Sequence, residues 1–206
     1  MEQLGDYDTI EPSMAMNVQL VKPFKFERLT RVLRVRGTYI YIHWTVFLIS
    51  GLLILAALRR PWVTLAAGAA WLGLIFIHEC GHMLAAERKG CAVPAIDLYP
   101  IHGCCHFDQP WSRYDHCVIA WGGVIAQAVV AVPMILALLL FGYSRFEPIN
   151  AVMVILGGYS VLTAVYNLLP IRPLDGAIAW GIIPEAIRRA KSRRKKKDSR
   201  PHWRSY

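Results

Sequence analysis

Charge is what this sequence has least of. Only 18% of its 206 residues are Asp, Glu, Lys or Arg, and acidic residues are the scarcer sign, 14 against 23 basic ones. There is no internal repeat and no low-complexity tract outside a basic tail. Nor is any polar stretch long enough for a separate soluble domain, because hydrophobic residues make up 55% of the chain and gather in four runs, 39–58, 62–86, 118–142 and 150–169. Crossing a bilayer takes roughly 20 apolar residues, and each run is long enough. An ordinary soluble globule is therefore excluded. The expected class is an all-α membrane protein of about four transmembrane helices, with a small β-hairpin between the second and third.

The polar remainder sits at the ends. Residues 1–37 form a charged leader that closes on Lys22, Lys25, Arg28, Arg31, Arg34 and Arg36, and residues 188–206 form a tail more basic still. Because the first apolar run begins only near residue 39, no cleavable signal peptide is expected. A net charge of +9 raises the question of nucleic acid. Lys and Arg clusters flanking membrane helices instead mark the cytoplasmic side and meet anionic lipid. The expected partners are thus anionic lipid at both termini and no nucleic acid. The expected location is the cell membrane, multi-pass, with both termini cytoplasmic and a transmembrane domain over 38–187. Five cysteines, an odd number, include the adjacent pair Cys104 and Cys105, expected to be reduced in the cytoplasmic loop after the second run.

Within this apolar chain the stretch FIHECGHMLA, residues 76–85, is out of place. Polar residues at membrane depth are expensive and mark functional sites by default. HECGH is H-E-x-x-H: His78 and His82, four apart, share one helix face and can donate nitrogen to a single ion, while Glu79 can take a proton from water bound to it. Zinc suits that task. His78 follows Trp62 by 16 residues, roughly 24 Å along a helix, which places it several ångströms inside the cytoplasmic face. A third ligand should come from another helix at similar depth. In YNLLPIRPLDG, Pro170 and Pro173 interrupt the fourth run and Asp175 follows directly. Alone, Asp175 reads equally well as a helix N-cap. Beside the histidines it reads as the third ligand.

HECGHMLAAERKG followed by NLLPIRPLDG resembles the site-2 proteases, zinc metalloproteases that cut substrates within the membrane. RGTYIYIHWTVFLIS looks like that family's approach to its first span, AIDLYPIHGCCHF sits where it carries a strand leading to a Gly-rich turn, and AWGGVIAQAVVAV sits where its Gly-containing third-span motif usually ends in Asn. The resemblance implies one Zn2+ per chain held by His78, His82 and Asp175, Glu79 as general base, and Asn167 orienting substrate or stabilising the oxyanion. For Asn167 an interhelical hydrogen bond is an equal alternative. It implies a minimal member without PDZ or CBS domains, acting on transmembrane protein substrates in regulated intramembrane proteolysis, with a regulatory membrane partner as a further candidate. Gln127 in place of Asn, and His102 and Cys104 in the Gly-rich turn, depart from the pattern and put substrate fit in question.

The loop after the second run offers two readings. His102, Cys104, Cys105 and His106 bring metal-binding side chains together, though at no recognised zinc spacing. As a hairpin at the mouth of the site, with Ile96, Leu98, His102 and Gly103 marking the strand region, the loop could instead pair with an unwound substrate segment. The rival function is a non-catalytic metal-binding membrane protein or a metal transporter.

Overall fold

A computed structural model describes residues 29–198. Lys22, Lys25 and Arg28 of the leader, and the tail from residue 199 onward, lie outside the described residues.

The first apolar run does not become a spanning helix. Its opening, T-Y-I-Y-I-H, alternates residues that favour strands, and it forms β2 (Thr38–His43), with Thr38, Ile40 and His43 buried. β2 pairs antiparallel with β1 (Leu29–Val35). Arg36 and Gly37, at φ 51° and 98°, make the two-residue connection, both in the left-handed region that a tight hairpin turn requires. The run turns helical only at α1 (Trp44–Ala56), which is 13 residues and so about 20 Å long, short of a hydrocarbon core of about 30 Å. The side chain of His43 caps it by accepting from the Thr45 N–H. Among the described residues three helices, not four, are long and apolar enough to cross a membrane. Hydropathy sums over a window and is blind to the period of two that made the first quarter of this run a strand.

The other three runs form the expected spans. They are α2 (Pro61–Arg88), α3 (Arg113–Phe141) and a third segment, Glu147–Asn167, built from α4 (Glu147–Met153), a π-helical stretch Val154–Tyr159 and α5 (Ser160–Asn167). α2 and α3 cross where Gly81 meets Gly122. A Cβ on either glycine would overlap the carbonyl of the other, so the close approach depends on their having none.

The loop between α2 and α3 carries β3 (Ala95–Leu98) and β4 (Gly103–His106). Rather than standing alone as a hairpin, β3 also pairs in parallel with β2, giving one four-stranded sheet in the order β1-β2-β3-β4. Ile40, Ile96 and Leu98 from the sheet pack with Ile75, Met83 and Ala86 of α2 and Ile119 of α3 as the core. The turn between β3 and β4 reaches the middle of α2, where the Trp71 indole N–H donates to the Pro100 carbonyl at 2.8 Å. Beyond α5 the chain passes through a cis Arg172–Pro173 bond into α6 (Gly176–Ala179) and α7 (Ile182–Asp198). α7 runs into the basic tail and is latched to the start of α3. The Arg189 guanidinium lies 4.0 Å over the Tyr114 ring and donates to Ser112 Oγ at 2.7 Å.

Candidate metal centre

Helical spacing on α2 places His78 and His82 one turn apart, their ring centroids 4.6 Å apart and nearly perpendicular. Both, and Glu79 with them, are 6% exposed. Asp175 occupies the N-cap position of α6, yet its side chain makes no capping hydrogen bond. It turns instead to the histidines, with Oδ2 2.9 Å from His78 Nε2 and 3.2 Å from His82 Nε2. The two Nε2 atoms are 3.0 Å apart. Among the described residues no other trio of His, Cys, Asp or Glu side chains converges in this way.

The backbone that presents Asp175 is held from both sides. Gly176 packs against the Leu168 carbonyl so closely that no side chain fits there. The Trp180 indole donates to that carbonyl oxygen at 2.7 Å, and the Trp121 indole of α3 donates to Ala179 O at 3.0 Å.

The hydrogen-bond partners of the rings decide which nitrogens face inward. His82 Nδ1 is 2.8 Å from the Ile119 carbonyl, and His78 Nδ1 is 3.0 Å from Gln127 Oε1. Both partners only accept, so both Nδ1 atoms carry the hydrogen and both neutral rings turn a bare Nε2 toward Asp175. Three lone-pair carriers then face one another within 3.2 Å with no hydrogen between them. Such an arrangement is repulsive unless a proton or a metal ion lies between the three groups. Tetrahedral zinc with ligands at about 2.0–2.1 Å separates them by about 3.3 Å, close to the spacing observed, and three protein ligands leave one position open. The residues fit zinc.

The Glu79 side chain lies against β4. Gly103 lies against its side chain, and the Cys105 backbone N–H hydrogen-bonds its carboxylate. Asn167 reaches the same centre, with Nδ2 3.4 Å from His78 Nε2. Six of the residues singled out in the sequence thus meet: His78, Glu79, His82, Asp175, Asn167 and Gly103. Three do not. Ile96 and Leu98, on the strand behind β4, are 0% and 5% exposed and belong to the core. His102 is exposed in the turn and stacks on Tyr99. The alternative second metal site does not assemble either. His106 Nε2 pairs with Asp97 Oδ2 at 2.8 Å, and Cys104 and Cys105 are free thiols, as are the other three cysteines.

Two contributors escaped the sequence. Gly123 abuts both ligand rings, where a Cβ would lie 2.6 Å from His78 Cε1 and from His82 Nε2. Gln127, expected to bear on substrate fit, is 2% exposed and backs His78 instead. Its spacing, one turn after Gly123 in an otherwise apolar span, was the available signal.

No family profile matches the chain. A protein of Synechocystis sp. provisionally named a zinc metalloprotease is 30% identical in an alignment of 171 positions that covers 71% of this chain. The chain spans 43% of that relative's length. In fold it matches the solved site-2 protease of Methanocaldococcus jannaschii with a TM-score of 0.54, at 20% identity, over 77% of this chain and 72% of that one. A relative provisionally named a zinc metalloprotease, and a fold shared with a solved site-2 protease, together support a place for this chain in the site-2 protease family.

Proposed function

We propose that the protein is an intramembrane zinc endopeptidase that hydrolyses peptide bonds in transmembrane segments of membrane-protein substrates. The observation that carries this reading is the convergence of His78 Nε2, His82 Nε2 and Asp175 Oδ2 beside a buried Glu79 on a spanning helix. Zinc held there would polarise the scissile carbonyl and lower the pKa of bound water to about 7.

The chain's own groups would do the rest. His78, His82 and Asp175 hold the ion. Glu79 accepts the proton from the attacking water and returns it to the leaving amine. The Asn167 amide donates to the oxygen on which negative charge develops. β4 supplies an edge for the unwound substrate. The Tyr99 N–H to His102 O bond makes Leu98 and Gly103 a non-bonded pair, and alternation makes Ile96 and Cys105 another. The backbone groups of Gly103 and Cys105 therefore point outward, toward Glu79, and a substrate strand added here would exchange with the Cys105–Glu79 hydrogen bond. The products would include a fragment released from the membrane, such as a membrane-held regulator. Basic residues of α7 and the leader would meet anionic lipid, with both termini cytoplasmic. A transporter would need polar groups at several depths, whereas here they gather at one level.

The test is paired: zinc content of detergent-purified protein, and cleavage of a transmembrane model substrate, in wild type and Glu79→Gln. Wild type should hold about one zinc and cut; Glu79→Gln should hold zinc and fail to cut. Zinc without cleavage in both, across a substrate panel, would favour the inactive metal-binding alternative.

A further inference from the structure

Behind His78 runs a hydrogen-bond chain that the hydrolytic chemistry does not use. A glutamine amide buried to 2% in a spanning helix is costly unless every polar atom is matched. Gln127 matches both ends. Its Oε1 lies 3.0 Å from His78 Nδ1, and its Nε2 lies 3.0 Å from Thr163 Oγ1 on α5. Thr163 Oγ1 is in turn 3.0 Å from the Tyr159 carbonyl and 3.1 Å from the Ser160 carbonyl.

The direction of this chain is forced. Backbone carbonyls only accept, so the single hydroxyl hydrogen of Thr163 goes to Tyr159 or Ser160, and toward Gln127 the hydroxyl can only accept. The Gln127 amide must then turn its NH2 to Thr163 and its carbonyl to His78. That carbonyl can only accept, so His78 Nδ1 must donate and Nε2 is left bare toward Asp175. His82 receives the same instruction from the Ile119 backbone carbonyl, which no substitution removes. His78 alone takes it from side chains.

We propose that Thr163 and Gln127 are positioning residues that fix the tautomer and ring orientation of His78 and thereby set the affinity of the centre for its metal. The proposal rests on the zinc reading above. Outer partners of metal-bound histidines raise ligand basicity and hold the ring, and losing one costs about 10–100-fold in metal affinity.

The experiment measures zinc affinity in detergent by competition with a chromophoric chelator, the visible spectrum of the Co2+-loaded protein, and thermal unfolding of the metal-free protein. Gln127→Met, of similar volume and without hydrogen-bonding groups, should bind zinc about 10–100-fold more weakly, with an altered Co2+ spectrum. Thr163→Val should weaken binding by about five-fold, and Thr163→Ser should restore it. Gln127→Glu, which keeps an acceptor on His78, should bind at least as well as wild type. The double variant Gln127→Met/Thr163→Val should lose no more than Gln127→Met alone, because the second change acts only through the first. Metal-free unfolding should not track this order.

Wild-type affinity and an unchanged Co2+ spectrum in Gln127→Met and Thr163→Val would overturn the relay. So would a loss in Gln127→Met that follows its metal-free stability while Thr163→Val is inert. If Gln127→Met does not fold, Thr163→Val against Thr163→Ser decides alone. Wild-type protein that takes up no zinc while folded would overturn the zinc reading itself, a result distinct from zinc uptake that these variants leave unchanged.

Discussion

Gly103 on β4 lies flat against Glu79 on α2: a Cβ at this glycine would stand 2.6 Å from Glu79 Oε1 and 2.7 Å from Cδ. The strand and the proposed base occupy each other's contact distance, with no room for a methyl group. Gly103→Ala must therefore displace the carboxylate or lift β4. Since the atoms nearest that Cβ all belong to Glu79 and none to the trio, zinc content should stay at the wild-type level while turnover falls about 10–100-fold, the scale of an ångström's misplacement. Metal analysis beside a cleavage assay checks this, and a parallel loss of zinc would show that β4 supports the ligands as well.

Gly123 predicts the opposite division. A Cβ there meets His78 and His82 at 2.6 Å, within the ligand rings themselves. Gly123→Ala should abolish tight zinc binding, with activity lost as a consequence, while helix content by circular dichroism stays near wild type. Equilibrium dialysis against buffered zinc would read it.

The two tryptophans that fasten the Asp175 loop should matter through the metal. Replacing Trp121 by Phe removes the indole donor to Ala179 O and keeps most of its edge-on packing against Trp180 at 5.6 Å between centroids. One lost hydrogen bond of about 1 kcal/mol should loosen Asp175 and weaken zinc binding by about five-fold. Asp175→Asn, which removes the ligand's charge, should weaken it far more.

The pair of His106 and Asp97 gives a pH dependence outside the spans. The Asp97 hydrogen bond, and after it one from Cys104, push the His106 imidazole up to about 10. A histidine held above its ordinary value near 6.5 contributes stability in full below that value and loses it as pH rises through about 10. The His106 side chain is 37% exposed, so solvent screening keeps the contribution under about 1 kcal/mol. Wild type should exceed His106→Asn in thermal stability at pH 6 and lose the advantage by pH 10.5, as differential scanning in detergent would record.

Much of the site was legible in the sequence because its main signal is one of cost. Two histidines and a glutamate inside an apolar run need a reason, and helical spacing alone placed His78 and His82 together. Asp175 was legible once the prolines before it marked a break in the helix. What escaped was whatever depends on close approach or direction. Gly123 carries no chemistry of its own, and Thr163 reads as an ordinary small residue in a span. Gln127 was noticed as an oddity, but only coordinates show it behind a ligand rather than before a substrate. In the fold, the error at residues 39–58 had a physical source: apolar content is common to membrane helices and buried strands, and β2 is recognised by its alternation and by the later partner, β3, that it pairs with.

Both histidines donate their outer hydrogen bonds to α3, and α2 meets α3 across glycines with no side chain between them. The metal seam and the helix seam are therefore one mechanical element. A bilayer whose thickness or lateral pressure slides α2 along α3 by a fraction of an ångström would change how firmly an ion is retained. If zinc occupies the proposed centre, its retention would depend on how closely α2 and α3 are held together, and so on the bilayer around them.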